Sequence, residues 1–426
     1  MKPRFSALVA ATVIGACSSG SDFSRSAEDV IVEPVISEEI VVAESPAEAA
    51  ALSKSSAPAG IRTPRRGVLT AGDIDDVLNL AAFGRYQSRA ARAEKLPGLN
   101  LSKPVLARVT TFDGKPAAGV RVTLRKRGAA EPFYQGYSGV DGLVTVFPGA
   151  FGHGGQGKVE MRAFPEGQLS PVAQVLERNG RRQVVEIPGK ADWTPDFLDL
   201  AFVVDTTGSM GDELAWLTKE LKSIVRQAKR AAPGVDIRYG LIVYRDHGDD
   251  YVLRNYGFTK RQSEMQSWLR AQSAQGGGDY PEAAAQALRA ATDLNWRRGK
   301  GERLMFHIAD APPHHRDARA YLDAARAAAA KDVQVFGLGA SGVGAASELL
   351  MRQAAVVSNG RYLFLTDDSG VGYGHAEPTI SCYQVSRLND LMVRVLKSEL
   401  SGHRVEARPG KVIRQVGTYQ RGVCRN

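Results

Sequence analysis

From about residue 197 onward, short runs of wholly apolar residues alternate with longer stretches in which apolar positions recur every three to four residues. The first pattern predicts buried strands and the second amphipathic helices. Strands are expected at 198–204, 237–244, 304–309, 333–338 and 361–364. Helices are expected at 213–229, 262–272, 281–292, 318–331, 345–358 and 388–399. Strands this apolar have both faces covered, so they predict an α/β domain over 196–402: a doubly wound, mostly parallel sheet with helices on both faces.

Earlier in the chain the period drops to two. Val120-Arg-Val-Thr-Leu124 and Leu143-Val-Thr-Val-Phe147 alternate, and Asp113-Gly114 and Asp141-Gly142 supply turns. Short strands at this spacing predict a smaller antiparallel β-sandwich over 101–190. Over 67–100, Thr70, Asp73 and Asp75 precede Val77, Leu78, Leu80 and Tyr86, which reads as a short amphipathic helical segment packed against a domain. Residues 17–66 are rich in Ser, Ala, Glu and Pro, with no aromatic after Phe23. Such a stretch buries too little apolar surface to fold and is expected to be a disordered tether. Residues 403–426 form a basic C-terminal extension.

The candidate chemistry gathers where the apolar strands end. Asp205-Thr-Thr-Gly-Ser-Met-Gly-Asp212 follows the first strand, so Asp205, Thr207 and Ser209 offer oxygens at alternate positions. Asp279 follows a glycine run, and Asp310 follows another apolar strand. In doubly wound sheets ligands sit beyond the carboxyl ends of the strands, so Asp205 and Asp310 are delivered to one crevice. An all-oxygen shell suits a hard divalent cation, Mg²⁺ or else Ca²⁺ or Mn²⁺.

The domain resembles a von Willebrand factor type A (VWA) domain, and the oxygen cluster resembles that family's metal-ion-dependent adhesion site. The resemblance implies an Asp-x-Ser/Thr-x-Ser first loop, matched by Asp205, Thr207 and Ser209, and a third-loop Asp, matched by Asp310 in Ile308-Ala-Asp-Ala-Pro-Pro313. The second loop departs from the pattern. Gly276-Gly-Gly-Asp279-Tyr-Pro-Glu282 places Asp279 where the family usually has Thr, a form similar to VWA domains attached to alpha-kinases. Three ionised carboxylates around one cation imply tight metal binding that relies less on a carboxylate from a partner. Whether Asp279 would bind directly or through water stays open. The sandwich resembles carboxypeptidase-regulatory-like domains and shows no catalytic constellation.

Other readings of the same residues are available. Ser209 or Asp212 could cap the helix expected at 213. Thr207-Gly-Ser-Met-Gly211 comes close to a hydrolase nucleophile elbow, though Thr207 replaces its first glycine. His307 falls inside a strand, where core packing is the simpler role, while His314 and His315 fall in a loop beside Asp310. The run Tyr244-Arg-Asp-His-Gly-Asp-Asp250 reads as a charged turn. No Gly-Lys-Ser/Thr follows any glycine run, which excludes a phosphate-binding loop.

The N-terminus reads as an address. Lys2 and Arg4 precede an apolar run from Phe5 to Ala16 that is too short to span a bilayer, so 1–16 is expected to be a signal peptide. Ile14-Gly-Ala-Cys17 resembles a bacterial lipobox, which implies lipidation of Cys17. With serines following it, the resemblance implies anchoring to the outer membrane, facing the periplasm or the outside. Export implies an oxidising compartment, and Cys382 and Cys424 are then expected to form a disulfide contributing roughly 3–4 kcal/mol. The net charge of +9 over 426 residues comes without a basic stripe interleaved with aromatics, which argues against a nucleic-acid partner. These readings converge on a lipid-anchored module that binds another protein or a surface ligand through a metal-bearing face, with no catalytic residue assigned. The alternatives are a metal-assisted or serine hydrolase using the same crevice, or a purely structural envelope protein.

Overall fold

The computed structural model describes residues 68–155, 157–190, 192–278, 280–369 and 377–425. The residues expected to be a signal peptide and a tether, with Cys17, and Asp279 lie outside the described residues.

The chain enters the fold with a strand rather than a helix. β1 (Thr70–Ile74) is followed by α1 (Leu80–Ala93). Seven strands then form the sandwich: β2 (Val105–Thr111), β3 (Arg121–Lys126), β4 (Tyr134–Tyr137), β5 (Leu143–Val146), β6 (Val159–Phe164), β7 (Val172–Leu176) and β8 (Gln183–Ile187). These form two sheets, β5-β2-β8 and β4-β3-β6-β7, around one core that includes Val105, Val109, Leu124, Met161 and Val185. The pairs are antiparallel except β2–β8, which is parallel because both strands run the same way past the sheet's centre.

The larger domain follows with β9 (Phe197–Asp205), α2 (Gly211–Ala228), β10 (Asp236–Tyr244), β11 (Leu253–Thr259), α3 (Gln262–Arg270), α4 (Ala284–Thr292), β12 (Gly301–Ala309), α5 (Ala318–Ala330), β13 (Gln334–Gly339), α6 (Ala345–Val357), β14 (Tyr362–Thr366), β15 (Tyr383–Arg387) and α7 (Leu388–Ser401). The tail adds β16 (Arg414–Val416), β17 (Thr418–Gln420) and β18 (Val423–Arg425). One sheet takes the order β11-β10-β9-β12-β13-β14-β1-β15-β16. Its five strands β10-β9-β12-β13-β14 are parallel, as their apolar runs predict. β9 alternates between two layers. Leu198, Leu200, Phe202 and Val204 pack with α2, α3 and α7, while Ala201 and Val203 pack with α4, α5 and α6. The chain steps from β9 to β10 on one side and later to β12 on the other, so the order reverses at β9 and opens a crevice at its carboxyl end.

The helical segment expected over 67–100 forms in part, as α1 at Leu80–Ala93. Its first residues are a strand of the central sheet, antiparallel to both β14 and β15, with Thr70 opposite Thr366 and Ile74 opposite Tyr362. The sandwich is therefore an insertion: the chain leaves the large domain after α1 and returns at β9. Asp73 and Asp76 can be buried in that position because arginines meet them. Asp76 accepts two hydrogen bonds from Arg352, both 2.8 Å, and Asp73 accepts one from Arg394 at 3.0 Å. The edge strand β11 and the short β15 are additions to the expected elements. The tail is fastened by a disulfide between Cys382 and Cys424.

Candidate functional site

Asp205 is the last residue of β9 and is fully buried. Its Oδ1 accepts from the backbone N–H of Thr207 at 2.9 Å and from the Thr207 hydroxyl at 2.7 Å. Its Oδ2 is buried with no hydrogen-bond partner. Asp310 follows β12 one strand away, and the exposed Ser209 lies near enough to favour its charged form. Thus Asp205, Thr207, Ser209 and Asp310 come together in one crevice at the reversal point of the sheet. Neither Ser209 nor Asp212 caps α2, which starts at Gly211 after Met210 and has no side-chain cap.

Three loops are stitched into this crevice by backbone bonds. Gly208 N–H donates to the Gly276 carbonyl at 3.1 Å, and Gln275 N–H donates to that of Thr206 at 3.1 Å, tying the first loop to the glycine run. Glu282 N–H donates to the Pro312 carbonyl at 2.9 Å, tying that run to the third loop. Gly276 and Gly277 adopt φ of +80° and +79°, the left-handed region that glycine tolerates. A Cβ on Gly276 would lie 2.4 Å from the Asp249 carboxylate, and one on Gly277 would lie 3.1 Å from both Thr207 and Glu282. The glycines therefore let the second loop close over Asp205. Tyr280 crosses the same rim, donating to the Asp310 carbonyl at 3.1 Å and accepting from Gly344 N–H at 2.8 Å.

Two further acids reach the crevice that the sequence reading did not single out. Glu213, in the first turn of α2, is buried; one carboxylate oxygen accepts from the backbone and hydroxyl of Ser341 at 3.0 and 2.8 Å, and the other has no partner. Glu282 is buried with one oxygen unpartnered. Both sit at helix starts, where an acid is ordinarily explained by the helix dipole. The Pro-Glu at the close of the glycine run was the available signal for Glu282.

The electrostatics are those of acids crowded together. Burial, then the neighbouring Asp310, pushes Asp205 up to about 7, against the Thr207 hydrogen bonds. Burial also raises Asp310, with Ser209 opposing and Glu213 adding to the rise. Burial, then Asp205, Asp246, Asp249 and Asp310, pushes Glu282 up to about 9. The charged side chains acting most strongly on all three are acids. Among the described residues no three His, Cys, Asp or Glu side chains by themselves form a metal-holding cluster. The donor set at hand is two carboxylates and the hydroxyls of Thr207 and Ser209, with a free lone pair on Asp205 Oδ2. That chemistry fits a hard cation.

The histidines settle into other roles. His307 is buried between the hydroxyls of Tyr244 and Tyr321, 2.9 Å from each, and burial pushes it down to about 3. It is a core residue. His314 lies 2.7 Å from Asp246, and His315 donates to the Lys95 carbonyl at 2.9 Å. No histidine is hydrogen-bonded to Ser209 among the described residues, so the nucleophile-elbow arrangement lacks its base there.

Residues 199–370 match the family model of the von Willebrand factor A domain, and a domain of that family occupies this part of the chain. The chain is 35% identical over 119 residues to an ariadne-like RING finger protein of Acanthamoeba polyphaga mimivirus, covering 28% of this chain and 11% of that protein. It is 28% identical over 138 residues to the alpha-protein kinase vwkA of Dictyostelium discoideum, covering 32% of this chain and 21% of the kinase. It is 35% identical over 92 residues to von Willebrand factor A domain-containing protein 7 of Homo sapiens, covering 22% and 10%. The matched region is thus a small part of each of these longer proteins.

Proposed function

We propose that the crevice between Asp205 and Asp310 holds a divalent cation and that the metal-bearing face binds another protein or a surface ligand. The observation that carries this reading is the unpartnered, fully buried Oδ2 of Asp205 facing a second acid at the reversal point of the sheet. An isolated buried carboxylate is costly unless something neutralises it, and a cation from solution does so. Asp205 and Asp310 supply charge, Thr207 and Ser209 supply neutral oxygens, and Asp279 adds a third carboxylate from the glycine-rich loop. The bound ion would offer an open coordination position to an oxygen of the partner. Domains of this family generally bind other proteins, which supports a binding role over a catalytic one. The sandwich acts as a spacer, and a lipid on Cys17 together with the 17–66 tether holds the folded part at the outer membrane.

Titration calorimetry of the full chain with magnesium tests the metal. Saturable binding that Asp205→Ala abolishes is expected; no magnesium, calcium or manganese binding at millimolar ion, the weak end of natural sites, would sink it. A crosslinking pull-down from native membranes tests the partner: capture should require the ion and fail with chelator or Asp205→Ala. Fractionation of a Cys17→Ser chain should move it from the membrane to the soluble fraction.

A further inference from the structure

At the opposite end of the central sheet, where β13 and β14 begin, a cavity of about 520 Å³ lies between the sandwich, the large domain and the C-terminal tail. That is the size of a small-molecule site. Its sandwich wall follows from strand pairing. Leu106 lies opposite Thr145 and Arg108 opposite Leu143, so all four share the outer face of the β5-β2 pair, while Val105, Ala107, Val144 and Val146 fill the sandwich core. Arg108, Leu143 and Thr145 line the cavity. The facing wall carries Arg361 and Asp332, and the tail contributes Arg421 and Val423, beside the disulfide-bonded Cys424.

Three lining side chains have buried polar atoms without hydrogen-bond partners: Arg108 Nε, Thr145 Oγ1 and Arg361 Nη1. All three can donate. Thr145 is 2% exposed and Arg361 4% exposed. Arg361 is ion-paired with Asp73, Asp75 and Glu399 at 3.6, 3.8 and 3.6 Å, distances that pair charge without making hydrogen bonds. Buried donors left unmade are costly and uncommon in folded proteins. Five arginines and four carboxylates line the cavity. Two of those carboxylates are already held, Asp332 by Arg303 at 3.0 Å and Asp75 by Arg404 at 2.8 Å. Behind the wall Arg303 meets Asp332, while Asp73 and Glu406 meet Arg361 and Arg404, so the lining itself holds one more guanidinium than carboxylate. Leu78, Val140, Leu143 and Tyr137 supply apolar surface to the same space.

We propose that this cavity is a binding site for a small organic oxyanion, a carboxylate or phosphate ester whose oxygens accept from Arg108, Thr145 and Arg361 and whose apolar body lies against the tyrosine and aliphatic wall. A guanidinium suits either group because its donors match two acceptor oxygens at once. The site is independent of the metal crevice, and its occupant would bridge the sandwich, the large domain and the tail.

Calorimetric titration of the full chain, with chelator present to remove any contribution of the crevice, tests it with benzoate, phenyl phosphate and inorganic phosphate. Saturable binding of an organic anion at one site is expected. Arg108→Gln should weaken it about tenfold or more and Thr145→Val by a smaller factor, with unchanged melting temperatures. Arg89→Gln, on the exposed face of α1, should bind like the parent chain and controls for net charge. Preference for benzoate identifies a carboxylate ligand, and preference for phenyl phosphate identifies a phosphate ester. The proposal is overturned if none of the three saturates below roughly 20 mM, weaker than the millimolar range of useful sites. It is equally overturned if Arg108→Gln and Thr145→Val both fold and bind as the parent does.

Discussion

The two ends of one sheet bury carboxylates in opposite ways. At the end where β1 and β14 meet, Asp73, Asp75 and Asp76 are matched by Arg352, Arg361, Arg394 and Arg404 from the chain itself. For Asp73 burial acts to raise the group, but Arg394, Arg361 and Arg404 outweigh it and hold the carboxyl below the usual range, while at Asp76 burial still outweighs Arg352. At the other end Asp205 and Asp310 are buried beside each other, and both are raised by burial and by neighbouring acids. Where acids serve the fold, the chain supplies the cation; where they form the crevice, it leaves that place to something else. The difference separates structural acids from site acids on physical grounds, without reference to any relative.

The sharpest way to break that contrast is to remove one of the built-in cations. Arg352 and Asp76 are each under 5% exposed and doubly hydrogen-bonded, and Arg352 also holds Glu348 at 2.7 Å. Arg352→Met leaves two buried acids facing nothing and should cost about 3–5 kcal/mol in urea unfolding, with the Asp76→Asn/Arg352→Met double variant recovering part of it. A loss under about 1 kcal/mol would mean the arginine end is not a structural ion cluster.

At the crevice the sign should reverse. Asp205→Asn keeps the acceptor for Thr207 and removes a charge that repels Asp310, so in chelator the variant should be as stable as the parent or more so. Magnesium at about 100 times its dissociation constant should then stabilise the parent by about 2–3 kcal/mol and leave the variant unmoved. Thermal unfolding with and without the ion reads both halves. An Asp205→Asn chain destabilised in chelator would make Asp205 a structural acid like Asp76.

Much of this was legible in the chain because the physics is local. Five apolar runs became the five parallel strands, and Asp205 and Asp310 could be placed because they close two of them. Adjacent strand ends deliver both to one crevice. Alternation at period two exposed the sandwich. What escaped depends on distant partners. Thr70-Ala-Gly-Asp-Ile74 has small residues and an acid, no strand signature, and is a strand only because it pairs with a strand 296 residues away and Arg394 donates to its aspartate. Glu213 and Glu282 escaped because an acid at a helix start already has an ordinary explanation. Asp279 and Cys17 lie outside the described residues, and their roles rest on the sequence alone.

The smallest expected effect sharpens the arginine end at one of its incomplete matches. Burial pushes Asp332 up to about 6, with Arg303 opposing from 3.0 Å. The unfolded group titrates near 3.9, so the folded protein binds the extra proton between roughly pH 4 and 6. A raised carboxyl contributes stability that is fully present below about pH 4 and is lost as pH rises through about 6. Asp332→Asn removes that dependence, and its φ of 60° is one that asparagine tolerates. The parent should therefore lose stability relative to the variant between about pH 4 and pH 7.5. With the side chain 27% exposed the change should be about 1 kcal/mol, and a differential melting curve across that window reads it. Parallel curves would mean Arg303 neutralises Asp332 as fully as the other arginines neutralise Asp73.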